Sequence, residues 1–171
     1  MASKEITPAE QRRRHRFRKN LFRWLCGVGF VVLLGWGASS FVKIGFNGTA
    51  SVDGYVFLII KDVMPERGEL VAFWPPENDF FHNIWFVKYM KGGVGDEVVR
   101  KGQAFYINGE FIGNAKTESK KGVALQPSNS GVIPQGYHFV WTPHEDSFDS
   151  RYKQIGWIPS GSIIGRAYRI L

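Results

Sequence analysis

From Leu25 to Val42 the chain runs eighteen residues without a formal charge, and this stretch decides how the rest must be partitioned. At about 1.5 Å rise per residue, a helix of that length nearly crosses a ~30 Å hydrocarbon layer. Leu21, Phe22 and Trp24 extend it, Arg23 can snorkel to the headgroups, and Trp24 and Trp36 suit the interfaces. A buried helix of a soluble core is the plainer alternative. The length of the run and the basic cluster ahead of it favour a membrane span. Residues 1–24 carry eight Lys/Arg against two acids, which by the positive-inside rule keeps the N-terminus in the cytoplasm. The small residues Ala38-Ser39-Ser40 also suit leader cleavage, but the long charged region and long apolar stretch favour an uncleaved anchor. The expected division is a basic cytoplasmic tail at 1–20, an anchor at 21–42 and a body at 43–171 across the membrane.

Outside the first 24 residues the charges nearly cancel, fourteen basic against thirteen acidic. The chain's net +7 therefore belongs to its tail, where anionic lipid explains it, and no nucleic-acid partner is expected. The single cysteine, Cys26, makes neither an internal disulfide nor a zinc site. No metal or cofactor is expected. A body of about 130 residues is enough for one core, and its many glycines and prolines call for frequent turns.

No stretch of the body sustains a 3.6-residue apolar period. Short runs at 55–60, 70–73, 84–87, 97–100, 137–141 and 163–170 read as strands. Phe105–Ile112 reads as a hairpin turning on Asn108-Gly109, the pair a two-residue loop prefers. Pro65, Pro75, Pro76, Pro127, Pro134 and Pro159 fall between runs, and 114–130 reads as a polar loop. The fold class is mainly β, a compact antiparallel sheet or barrel-like domain behind one transmembrane helix.

Ser51 follows the anchor closely, and Lys88 sits between Ile84-Trp85-Phe86-Val87 and Tyr89-Met90. A serine hydroxyl needs a base. Lysine can be that base only when apolar burial keeps its amine neutral near pH 7–8. From the residues alone, Ser51 reads first as a turn residue and Lys88 as a surface strand lysine. Of the histidines, His15 lies in the tail, His138 in an apolar strand, and His144 beside Glu145 and Asp146. A histidine triad stays open by spacing, although no Gly-x-Ser-x-Gly elbow accompanies it.

Four blocks in order resemble the signal peptidase S26 family, and within it the conjugative-transfer TraF-like branch. They are Thr49-Ala50-Ser51; Arg67-Gly68-Glu69-Leu70-Val71-Ala72-Phe73-Trp74-Pro75; Lys88 eight residues before Gly95-Asp96; and Asp149-Ser150-Arg151-Tyr152, continuing to Gly156-Trp157-Ile158-Pro159 and Ile164-Gly165-Arg166-Ala167. The chain departs from the pattern in three places. It lacks a proline after Ser51, has Val94 where the family has proline, and inserts Lys153-Gln154-Ile155.

The resemblance implies a Ser51–Lys88 dyad with an oxyanion hole from the Thr49 hydroxyl and the Ser51 backbone N–H. It also implies that Ser147 orients Lys88, that Asp149 and Arg151 support the site as an ion pair, and that Asp96 shapes a turn. Apolar residues at 57–60 and 84–87 would line a groove for an extended peptide. The expected enzyme is a single-pass serine peptidase of the bacterial inner membrane with a periplasmic catalytic domain. Its partners would be pilin or signal-peptide-bearing precursors and conjugative transfer machinery. The alternatives are a housekeeping signal peptidase I or a non-catalytic, membrane-tethered assembly component of a secretion or pilus machine.

Overall fold

The computed structural model describes residues 8–47, 51–78 and 81–171. The chain divides into an N-terminal unit ending at Ser40 and a second unit, Phe41–Leu171. The first is helix α1 (Pro8–Phe41). Its stretch His15–Phe41 has 27 residues at a mean hydropathy of 1.7 and is long and apolar enough to cross a membrane. The helix takes in most of the basic tail and stops one residue short of the expected anchor end, because Val42 already pairs in a sheet.

The second unit is antiparallel β throughout its paired strands. These are β1 (Val42–Phe46), β2 (Val56–Lys61), β3 (Leu70–Phe73), β4 (Phe86–Gly92), β5 (Glu97–Lys101), β6 (Ala104–Ile107), β7 (Glu110–Asn114), β8 (Gly131–Val132), β9 (Tyr137–Trp141), β10 (Ile158–Pro159) and β11 (Ile163–Arg169). Seven form one sheet in the order β1-β2-β11-β3-β4-β9-β10, and four form a second in the order β7-β6-β5-β8. The two-residue turn between β6 and β7 holds Asn108 at φ 50° and Gly109 at φ 83°, the left-handed pair a hairpin of matching twist requires. Pro159 is not between strands as expected but within β10. That strand is two residues long at the sheet edge, where a missing N–H leaves no ladder bond unmade.

Two core clusters bracket the site. Val71, Phe73, Met90, Val140, Ile155 and Ile158 pack under the larger sheet. Val98, Phe105, Ile107, Ile112, Ile133, Phe139 and Tyr152 fill the second cluster, lined by the smaller sheet. Partly buried Phe148 packs against both.

β1 is fastened at two points. Trp85 packs against Gly45, where any Cβ would come within 1.9 Å of the ring. The Lys43 ammonium stands 5.2 Å from the ring centroids of both Trp74 and Trp85, a cation shared by two indoles. At the sheet centre β11 bulges between Ile163 and Gly165 where it meets β3. There a Cβ on Gly165 would lie 1.9 Å from the Ile60 carbonyl oxygen, so backbone approach between β11 and β2 demands glycine.

The turn after β9 is built on a buried ion pair. Arg151 Nε and Nη2 donate to the two carboxylate oxygens of Asp149 at 2.9 and 2.8 Å. Asp149 also accepts from the Arg151 and Thr142 backbone N–H groups, and Arg151 Nη1 donates to the Asn114 carbonyl at 3.1 Å. Burial disfavours the guanidinium charge, but the Asp149 carboxylate more than offsets this and raises its pKa.

Two outcomes follow for the purified protein. Asp149→Ala leaves the Arg151 charge buried without its counter-ion and is expected to cost about 3–5 kcal/mol in chemical denaturation. Gly165→Ala must part β11 from β2 and is expected to cost about 3 kcal/mol by the same assay.

Candidate active site

Strand periodicity decides the state of Lys88. β4 runs on to Gly92, past Val87 where the apolar run ends, and its alternation puts Lys88 on the face shared with Phe86 and buried Met90. Lys88 is only 5% exposed. Its amine lies 2.8 Å from Ser51 Oγ and 2.9 Å from Ser147 Oγ, and 5.8 Å above the Phe86 ring. Burial lowers its pKa from 10.5 to about 8; Asp149 partly opposes the shift and Arg151 adds to it. An ammonium that would be fully charged at neutral pH in water is here neutral in an appreciable fraction of molecules.

Ser51 follows β1, on a segment held by a residue that carried no signal in the sequence reading. The Asn47 side-chain amide donates to the Val52 and Gly54 carbonyls at 2.8 and 3.0 Å, and its backbone N–H donates to the Tyr55 carbonyl at 2.9 Å. Val52 is buried beneath the turn. These contacts shape the turn without the proline that the family pattern has there. Thr49 lies outside the described residues.

Ser147 sits in the turn closed by its own N–H to the His144 carbonyl at 3.1 Å. The Asp149–Arg151 pair anchors that turn from below, and Arg151 Nη2 reaches the Ser147 carbonyl at 3.5 Å. His138 and His144 are engaged elsewhere. His144 Nδ1 accepts the Asp146 N–H at 3.1 Å, and His138 Nε2 lies 2.9 Å from Ser160 Oγ. Asp96 closes the turn after β4. Burial pushes its carboxyl up, but Arg67 at 2.5 Å, the Gly93 N–H and the Asn108 amide together hold it below its ordinary value. Among the described residues, no group of three His, Cys, Asp or Glu side chains is placed to hold a metal ion.

A groove of about 300 Å³ opens over Ser51 and Lys88. The segment 84–87 lines it as expected, but of 57–60 only Phe57 does; Ile59 points into the core of the larger sheet. Phe46, Phe81, Phe148 and Asp146 complete the walls. Phe81 packs edge-on against Phe86 and tilted on Phe148, with centroids at 5.1 and 6.0 Å. None of these four was singled out for the groove from sequence, because each comes from a connecting segment or strand end rather than an apolar run. The arrangement is an apolar trough lined by the neutralisable Lys88 amine and the Ser51 hydroxyl, with the buried Ser147 hydroxyl on the same amine.

Conjugal transfer protein TraF of Agrobacterium fabrum (strain C58 / ATCC 33970) is 27% identical over 119 residues, which take in 60% of this chain. That match spans 66% of the relative, just under two thirds of its length. A probable conjugal transfer protein TraF of Sinorhizobium fredii (strain NBRC 101917 / NGR234) is 24% identical over 172 residues, 84% of this chain and 90% of the relative. A solved signal peptidase I from Enterococcus faecalis V583 aligns at a TM-score of 0.39 and 23% identity, over 60% of this chain and 96% of its own. The model of the family described as signal peptidase, peptidase S26, matches residues 23–171. The chain belongs to the peptidase S26 family of signal peptidases.

Proposed function

We propose that this protein is a membrane-anchored serine endopeptidase in which neutral Lys88 activates Ser51. The observation that carries the reading is the buried Lys88 amine, within hydrogen-bond reach of both Ser51 Oγ and Ser147 Oγ. In this reading a precursor lies extended in the apolar groove. Ser51 Oγ attacks the scissile carbonyl while Lys88 Nζ takes its proton, and the resulting ammonium then protonates the departing amine. Water hydrolyses the acyl-enzyme by the same route, with Lys88 again accepting the proton. Ser147 fixes the amine's direction, and Asp149 with Arg151 holds the Ser147 turn. The Ser51 N–H and the Thr49 hydroxyl are the proposed oxyanion donors.

The basic residues ahead of the apolar stretch, most of them in the first turns of α1, support a cytoplasmic N-terminus, with 21–42 as anchor and 43–171 as a periplasmic catalytic domain. The two TraF relatives favour a precursor of a conjugative pilus as substrate, with ordinary signal-peptide precursors as the second class.

Processing by the membrane-embedded protein is the test, with pilin and signal-peptide precursors side by side. Ser51→Ala and Lys88→Ala are each expected to lower the cleavage rate by about 10³-fold or more while the protein still accumulates. The precursor that the wild type cuts identifies the substrate class. Unchanged processing by both variants would leave a tethered assembly component as the better reading.

The pH dependence has two parts. Because the neutral amine is the base, kcat/KM is expected to rise through a midpoint near 8. Stability runs the same way. The folded pKa of about 8 lies below the ordinary 10.5, so the unfolded chain binds the proton more tightly. The resulting cost is full below about 8 and fades as pH climbs toward 10.5. Lys88→Met is therefore expected to abolish cleavage yet raise the melting temperature at pH 7, with the gain shrinking above pH 8.

A further inference from the structure

Among the described residues, Asp146 is the one charged wall of the groove besides Lys88, and it immediately precedes Ser147. Its carboxylate is gripped from the opposite side. Lys116 Nζ donates to Oδ1, Lys120 Nζ stands 2.9 Å from Oδ2, and Lys116 Nζ also approaches Glu145 at 3.7 Å. Lys116 and Lys120 lie on the polar segment after β7. That segment is itself moored to the Ser147 turn: the Lys116 N–H donates to the Tyr152 hydroxyl at 3.0 Å, and the Asn114 carbonyl accepts from Arg151. On the near side, the Asp146 N–H is fixed to His144 Nδ1 and the Ser147 N–H to the His144 carbonyl. The carboxylate thus ties the backbone carrying Ser147 to a different part of the fold, and it does so at the groove edge, where its two lysine partners have side chains 39% and 73% exposed.

We infer that Asp146, held by Lys116 and Lys120, is a positioning residue that keeps the Ser147 hydroxyl on the Lys88 amine, and that this clamp makes turnover sensitive to ionic strength. The inference rests on the Ser51–Lys88 reading. Exposed pairs weaken as the screening length falls from ~10 Å at 0.1 M salt to ~3 Å at 1 M. The buried Asp149–Arg151 pair does not share that weakness. Loss of the clamp would free Ser147 to turn away and leave Lys88 with one fewer partner fixing its direction, a defect in the chemical step and not in substrate capture.

The test uses the full chain in lipid, the precursor it cuts, and Ser51→Ala as the control. Asp146→Asn is expected to lower kcat about tenfold with KM within about twofold. Raising salt should depress wild-type kcat and leave the variant's kcat flat. The exchanged pair Asp146→Lys with Lys116→Asp should recover part of the loss. Amide exchange at the Ser147 N–H should quicken with salt in the wild type and be fast at all salt concentrations in Asp146→Asn. An unchanged kcat in Asp146→Asn, or a rise in KM alone, overturns the positioning role; the second outcome would make Asp146 a substrate contact. If Ser51→Ala still cleaves, the peptidase reading itself fails, and the exchange measurement alone then decides whether the clamp exists: salt-independent exchange at Ser147 overturns it.

Discussion

A lysine amine held out of water between two serine hydroxyls is the interaction to which the rest of this structure answers. Burying an ammonium is unfavourable, so the fold surrounds Lys88 with groups that accept it as a neutral amine. Phe86 lies below it, Met90 lies beside it on the same strand face, and Ser51 and Ser147 are its polar partners. Each partner arrives from a different direction. Ser51 comes from the turn braced by Asn47, and Ser147 from the turn braced by the Asp149–Arg151 pair. The pair is fully buried and multiply hydrogen-bonded, so it supplies rigidity that salt screening does not reach. Asp146 supplies the outer, more exposed fastening of the same turn.

The energetic direction of these parts differs. The Asp149–Arg151 pair contributes to a fixed geometry, and breaking it leaves an uncompensated charge. Lys88 works against folding at neutral pH, since the unfolded chain would hold its proton more tightly. A stabilised neighbourhood around a destabilising residue is the pattern expected of a site in which stability is traded for reactivity. The loops that close the groove carry aromatic rings, and Phe81, Phe86 and Phe148 interlock across it. Water exclusion from the amine is thus shared between the strand that bears Lys88 and the segments that flank it.

Much of the β framework was legible. The Asn108-Gly109 hairpin, the strand at 70–73 and the strand at 137–141 stand where turn chemistry and apolar runs put them. β1 was missed because Val42 was read as the last residue of the apolar run, and the remaining Lys43–Phe46 is too short to show a period of its own. β4 was cut short at Val87 because Lys88 and Lys91 interrupt hydrophobicity, although the alternation Phe86, Lys88, Met90 carries the strand onward. β8 and β10 have two residues each, too few for any period to show. The meeting of Ser51 with Lys88 is a contact across 37 positions and Ser147 with Lys88 across 59. No local pattern encodes such distances; only the ordered blocks suggested those residues. Asn47 and Asp146 act through pairs of side-chain contacts that leave no trace in periodicity or composition.

The most direct measurement of the central claim is an NMR titration of the Lys88 side-chain amine in the full-length protein, assigned by comparison with Lys88→Met. The account predicts a midpoint near 8. A midpoint near the ordinary 10.5 would mean that Lys88 is a solvated ammonium at neutral pH and cannot serve as the base for Ser51.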